Sequence, residues 1–274
     1  MYLIEIIKAI IFGIVEGVTE WLPISSTGHM ILLDEFMKLN MSEEFKAMFL
    51  IVIQLGAILA VVVLYWNKLF PFSFKEKPFI KTDIILMWIK IVAACIPAAI
   101  VGLLWDEKID EMFYNYTTVS IALIIWGILF IVVENRNKGK KPRIRDISDI
   151  TFPIAIIIGI FQLMAAVFPG TSRSGATILG AILIGVSRNV AAEFTFFLAV
   201  PVMFGASLLK IIKFGLAFTG LEFAVLLTGM IVAFIVSVIS IKFLMGYIKK
   251  HDFKAFGWYR IVLGLVVILY FMLV

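Results

Sequence analysis

Charge, cysteine and histidine are scarce in this sequence. Of 274 residues only 16% are charged, where a soluble domain carries about a quarter, and 62% are hydrophobic. That balance excludes an ordinary soluble globule. The one cysteine, Cys95, rules out a disulfide within the chain, and its apolar surroundings make it an inert core thiol. Histidine occurs only at His29 and His251. The residues before Glu16 carry the acid Glu5 and no basic cluster, so a cleavable signal peptide is not expected.

Long apolar runs take the place of charge. Residues 48–66 and 117–133 hold no charged side chain, and 84–105 hold only Lys90. About twenty apolar residues in a helix cross roughly 30 Å of hydrocarbon. Six full spans are read at about 47–66, 84–105, 117–133, 194–209, 223–243 and 257–274. Two further stretches, about 3–33 and 151–186, are apolar but broken at their centres by Pro, Gly, Ser and Thr. Each reads as a helical hairpin that enters the membrane and returns, because irregular backbone at that depth must be surrounded by protein or a water-filled cavity. The expected fold is therefore an all-α integral membrane protein with six transmembrane helices and two re-entrant helical hairpins.

The net charge of +5 reports topology and not nucleic acid, because the basic residues crowd into short loops. Lys68, Lys75, Lys77 and Lys81 lie in loop 67–83, Arg136 to Arg145 in loop 134–150, and Lys249, Lys250 and Lys254 in loop 244–256. Loop 106–116 instead carries Asp106, Glu107, Asp110 and Glu111 with one base, Lys108. The positive-inside rule puts the three basic loops in the cytoplasm. Full spans in place of the hairpins would give the same parity.

The two broken stretches align at an offset of 146, Gly13 on Gly159, Glu16 on Gln162, Pro23 on Pro169 and Ser26 on Ser172. Three spans separate the copies, so the second is inverted. Inverted repeats of about 1–133 and 151–274, joined by the basic loop 134–150, would bring the two polar tips together near the midplane.

The first tip runs from Glu16 to His29. Glu16 and Glu20 share a helical face and repel, a cost that a divalent cation relieves. Pro23 breaks the helix; Ser25, Ser26 and Thr27 supply hydroxyls, and His29 an imidazole. The second tip, Pro169 to Thr177, opens a helix with Thr171, Ser172, Arg173, Ser174 and Thr177. Free amides, hydroxyls and one guanidinium make an oxyanion cradle. Together the tips suit metal-assisted attack on a phosphoryl group, with Arg173 on a phosphate and Ser26 or a water attacking while His29 serves as base or acid. At membrane depth, the substrate has a lipid tail.

The segments Glu16–His29 and Pro169–Thr177 closely resemble the two signature motifs of the undecaprenyl-pyrophosphate phosphatases, also called bacitracin-resistance proteins, and Ile51–Gly56 and Phe196–Pro201 look like that family too. The resemblance covers essentially the whole chain. It implies hydrolysis of undecaprenyl pyrophosphate to the monophosphate and inorganic phosphate, which regenerates the carrier lipid for peptidoglycan synthesis and confers bacitracin resistance. It implies a bacterial inner-membrane protein with its site open to the outer face and a dependence on a divalent cation, Mg or Ca, at Glu16 and Glu20. By motif match Glu16, Glu20, Ser26, His29 and Arg173 take the catalytic positions, and Ser25, Thr27, Ser172, Ser174 and Thr177 stand beside the phosphate. The expected partners are the prenyl pyrophosphate and the membrane; a homodimer stays open, as does the nucleophile, Ser26, His29 or water. One rival is a transporter or flippase of the same lipid on the same repeat. Another, the two-histidine lipid phosphatase class, is disfavoured because only His29 lies in a membrane segment.

Overall fold

A computed structural model describes residues 2–73, 79–215 and 217–273, apart from the side chains of 106, 107 and 110. The expected basic residues Lys75 and Lys77, and the side chains of Asp106, Glu107 and Asp110, fall outside that description. The described residues form eleven α-helices in chain order: α1 (Tyr2–Thr19), α2 (Ser26–Phe36), α3 (Glu43–Leu64), the short α4 (Trp66–Leu69), α5 (Thr82–Phe113), α6 (Tyr116–Asn137), α7 (Phe152–Val167), α8 (Arg173–Leu183), α9 (Arg188–Phe214), α10 (Gly220–Tyr247) and α11 (Lys254–Leu273).

Six of them are long and apolar enough to cross a membrane, namely α3, α6, α9, α10, α11 and the Thr82–Trp105 part of α5. These coincide with the six spans read from the runs. Polar caps fix several of their starts. Ser42 accepts the Phe45 amide, Asn115 the Thr118 amide and Ser187 the Val190 amide, each satisfying an orphan donor of the first turn. Thr219 and Glu222 form a reciprocal capping box at α10.

One boundary differs from expectation. The acidic stretch read as loop 106–116 is helical to Phe113, and only Tyr114 and Asn115 connect α5 to α6. Charge ended the apolar run there but not the helix, because Glu, Lys and Met are good helix formers.

Both broken stretches are helix–break–helix, α1 to α2 and α7 to α8. The outer ends of each pair meet again. Lys8 Nζ donates to the Lys38 carbonyl at 2.6 Å and the Asn40 amide donates to Glu5 Oε2 at 3.0 Å, so the chain leaving α2 lies beside the start of α1. The Arg143 amide donates to the Gly185 carbonyl at 2.8 Å, so the chain leaving α8 lies beside the strand-like turn that leads into α7. At eleven residues, α2 and α8 are each about 16 Å long, roughly half the hydrocarbon thickness.

Helix α1 packs along α10 and α7 along α5, while α3 meets α9 and α10, and α6 meets α11. Small residues allow the close approaches. A Cβ on Gly13 would sit 2.7 Å from the Gly229 carbonyl oxygen of α10. The two tips are held between these pairs, with α8 against α6 and α9 and α2 against α6 and α11.

Candidate active site

Each tip ends in a serine with the same unusual backbone. Ser25 has φ 73° and Ser172 φ 67°, and these are the only non-glycine residues with positive φ among those described. Such conformations cost of order 1–3 kcal/mol and persist where the surroundings dictate them. Each serine caps the helix that follows, Ser25 Oγ accepting the Gly28 amide at 3.3 Å and Ser172 Oγ the Gly175 amide at 3.1 Å. The equivalence is thus Ser25 with Ser172 and Ser26 with Arg173, an offset of 147, as for Phe49 and Phe196. The gapless match at 146 holds through α1 and α7 and slips by one residue inside the tip.

The first residue of each capped helix points to the same place. Arg173 Nη2 donates to Glu20 Oε1 at 2.7 Å, and Ser26 Oγ donates to Glu20 Oε2 at 3.0 Å. Arg173 Nη1 also donates to the Thr195 carbonyl at 3.2 Å. Glu20, Ser26, Thr27, Gly170, Ser172 and Arg173 line a cavity of about 180 Å³, closed on other sides by Gln54 of α3 and Met203 and Ala206 of α9. A hydroxyl, a carboxylate, a guanidinium and two helix N-termini thus converge on a space that suits a phosphate group.

The other candidates divide. Ser174 Oγ donates to the Glu20 carbonyl at 2.9 Å, tying one tip to the other. Thr177 Oγ1 donates to the Arg173 carbonyl at 2.9 Å and accepts from Thr195 Oγ1 at 2.9 Å. Ser25, Ser174 and Thr177 therefore spend their hydroxyls on the protein. Thr27 and Ser172 line the cavity, although Ser172 Oγ also caps α8 and lies 3.2 Å from Ser174 Oγ. Glu16 is 1% exposed and does not line it; its Oε1 has no hydrogen-bond partner. Its counterpart Gln162 is buried too, with neither amide atom bonded.

His29 also stands outside the cavity lining. Its Nδ1 is 2.7 Å from the Ser25 carbonyl oxygen and its Nε2 is 2.6 Å from the Tyr259 hydroxyl. His251 lies apart, its ring stacked on Tyr247.

Two contributors escaped the sequence reading, both on α11. Tyr259 is one. Arg260 is the other: it is 0% exposed and donates from Nη1 to the Pro23 carbonyl at 3.3 Å, and from Nη2 to the Gly170 and Thr171 carbonyls at 3.0 and 2.7 Å. It therefore bridges both tips. The available signal was a lone arginine inside an apolar span, the argument that had singled out Arg173.

Buried unpartnered Glu16 beside Glu20 fits a hard cation, which takes one or two carboxylates and completes its shell with substrate phosphate oxygens. Among the described residues no group of three or more His, Cys, Asp or Glu side chains gathers as a ready-made cage.

Comparison with known proteins matches residues 9–266 to the family model described as bacitracin resistance protein BacA. A protein of Desulfitobacterium hafniense named undecaprenyl-diphosphatase is 69% identical over 271 residues, 99% of this chain and 98% of that relative. Undecaprenyl-diphosphatase 1 of Clostridium acetobutylicum is also 69% identical, covering 99% of each chain. An Enterococcus faecalis protein named undecaprenyl-diphosphatase is 61% identical over 97% of each.

Proposed function

This chain belongs to the family of the bacitracin resistance protein BacA, and from that membership we propose that it is a membrane-embedded enzyme hydrolysing undecaprenyl pyrophosphate to undecaprenyl phosphate and inorganic phosphate. The carrier lipid so regenerated serves peptidoglycan synthesis, and the same turnover underlies bacitracin resistance. The observation that carries the reading is the convergence of Arg173, Ser26 and Glu20 on one cavity between the tips.

Ser26 is the nucleophile the resting geometry favours. Its hydroxyl proton already points at Glu20, so Glu20 takes that proton as Ser26 Oγ attacks the terminal phosphorus and the bond to the bridging oxygen breaks, releasing undecaprenyl phosphate. A water then hydrolyses the phosphoserine, inorganic phosphate leaves, and Glu20 returns its proton to Ser26 Oγ. Arg173 binds one Glu20 oxygen in the resting state and turns to the incoming phosphate, which offers its fork two acceptors. Substrate capture thereby releases Glu20 for its proton. The amides opening α2 and α8 face the phosphoryl oxygens. Thr27 and Ser172 donate to the phosphates from either side. Mg or Ca, held by Glu16 and Glu20, would neutralise pyrophosphate charge.

Purified protein in detergent is expected to release phosphate from a prenyl pyrophosphate in the presence of Mg or Ca. Glu16→Gln should shift the cation titration to at least about tenfold higher concentration, as lost metal support does. No release with any divalent cation would refute the enzyme reading and leave lipid transport as the alternative. An unshifted titration would remove Glu16 from the cation site.

The two broken stretches are re-entrant hairpins on this reading, and the halves about them are inverted repeats. The contacts between Lys8 and Lys38 and between Asn40 and Glu5 support a segment that returns to its side of entry. Exchange of α1 for α7, α5 for α10 and α3 for α9 maps the packing of α1 on α10 onto α7 on α5, and of α3 on α10 onto α9 on α5. The positive-inside rule then puts both termini at the outer face of a bacterial inner membrane, the face to which the family resemblance implies the site opens. Cysteines at Leu3 and Lys38, both exposed, should label together with an impermeant maleimide added outside intact cells. Labelling from opposite sides would make the first broken stretch a single crossing and refute a segment that returns to its side of entry.

A further inference from the structure

Tyr259 has no place in the chemistry above, yet it holds one of the site's few titratable groups. Its hydroxyl lies 2.6 Å from His29 Nε2, and the two rings stack at 5.6 Å with 7° between their planes. The partner at the other nitrogen fixes the direction of that bond. His29 Nδ1 is 2.7 Å from the Ser25 carbonyl, which can only accept, so Nδ1 carries the hydrogen. Neutral His29 then has a lone pair at Nε2, and the Tyr259 O–H donates to it. A second nitrogen's partner commonly sets the tautomer and aim of a working histidine in this way.

The backbone end of the arrangement is no less constrained. Ser25, whose carbonyl holds Nδ1, is the positive-φ cap of α2. Arg260, the next residue after Tyr259, is fastened to Pro23, Gly170 and Thr171. These bonds fix the level of α11 against the tips and set the Tyr259 ring over His29. In the resting state the hydroxyl occupies Nε2, and Ser26 is bonded to Glu20.

We propose that Tyr259 is a positioning residue of the reaction centre, which fixes His29 in the Nδ1–H tautomer and reserves Nε2 to take one proton from the water that hydrolyses the phosphoserine and pass it to solvent. The proposal rests on the hydrolase reading for its kinetic consequence alone; the tautomer and the shielding of Nε2 do not depend on it.

Tyr259→Phe keeps the stacked ring and removes only the hydroxyl, and at 45% exposure Tyr259 is not needed to fill the core. Two measurements decide. In a His251→Ala background His29 is the sole imidazole, and its acylation by diethyl pyrocarbonate, followed by mass spectrometry, is expected to speed up about tenfold in Tyr259→Phe as Nε2 loses its cover. In the phosphate-release assay kcat should fall about tenfold or more with KM changed less than about twofold, because the substrate's own contacts are untouched. An unchanged acylation rate overturns the proposal whatever the activity. Faster acylation with unaltered kcat overturns the working role of Nε2. If the wild-type protein releases no phosphate, the hydrolase reading falls and the acylation arm alone judges the contact.

Discussion

Glu20→Gln is expected to lower kcat about a thousandfold, equivalent to about 4 kcal/mol of barrier, without raising KM. Glu20 accepts three side-chain hydrogen bonds in the resting site, two of them on its carboxylate. Oε1 receives Arg173, Oε2 receives Ser26 and its carbonyl receives Ser174. The substitution spares the last of these and keeps the volume. It removes the group that accepts the Ser26 proton, and an amide cannot replace it. Loss of a general base typically costs about a hundred- to ten-thousandfold. The binding side moves the other way. With no carboxylate to leave, Arg173 meets the substrate phosphate without competition, so at saturating cation KM should hold or fall. Arg173→Lys gives the opposite pattern, a raised KM, because an ammonium lacks the bidentate fork. Kinetics on prenyl pyrophosphate over a range of cation concentrations check this. A raised KM with intact kcat for Glu20→Gln would make Glu20 a binding group and return the base to His29.

The spans and the tips were legible in the residues for a plain reason. Hydrocarbon demands unbroken apolar runs, so the six spans stand out, and Pro, Gly, Ser and Thr inside such runs mark backbone that cannot be lipid-facing. Glu20 and Arg173 stood out because ionised side chains at depth need partners, and here they partner each other. Cap geometry was less legible. The same hydroxyl serves as a phosphate donor or as a helix cap, so nothing in residue type separates Thr27, on the cavity, from Ser25 and Thr177, bonded to backbone, or from Ser172, which lines the cavity and caps α8. The single-residue slip in the repeat has the same root, because three consecutive hydroxyl residues at 25–27 and two at 171–172 offer several registers and only the positive φ picks one. Arg260 was hidden because its acceptors are carbonyls, which every residue has and no motif spells.

Arg260→Met should abolish at least about 99% of turnover, a loss larger than its effect on folding. The side chain bonds backbone carbonyls of both tips: Pro23 from the first, Gly170 and Thr171 from the second. Methionine keeps the length and the apolar stem but leaves three buried carbonyls short of a donor, at roughly 1–3 kcal/mol apiece. Part of that is offset, because a buried guanidinium is itself costly to desolvate and methionine is not. A fall of several degrees in Tm is therefore expected, and the folded detergent-solubilised protein survives. Activity has no such offset. The base and the phosphate-binding arginine stand on different tips, Glu20 on one and Arg173 on the other, and a displacement of about 1 Å between reacting groups costs on the order of a hundredfold. Arg260→Lys separates the two contributions of the residue. It retains the positive charge beneath the tips, but one ammonium cannot hold carbonyls on both, so kcat should fall about tenfold or more while thermal stability drops less than in Arg260→Met. Normal kcat in Arg260→Lys would mean that charge alone is needed. Normal kcat in Arg260→Met, in a protein that melts lower, would mean that the bridge stabilises the fold without aligning the tips.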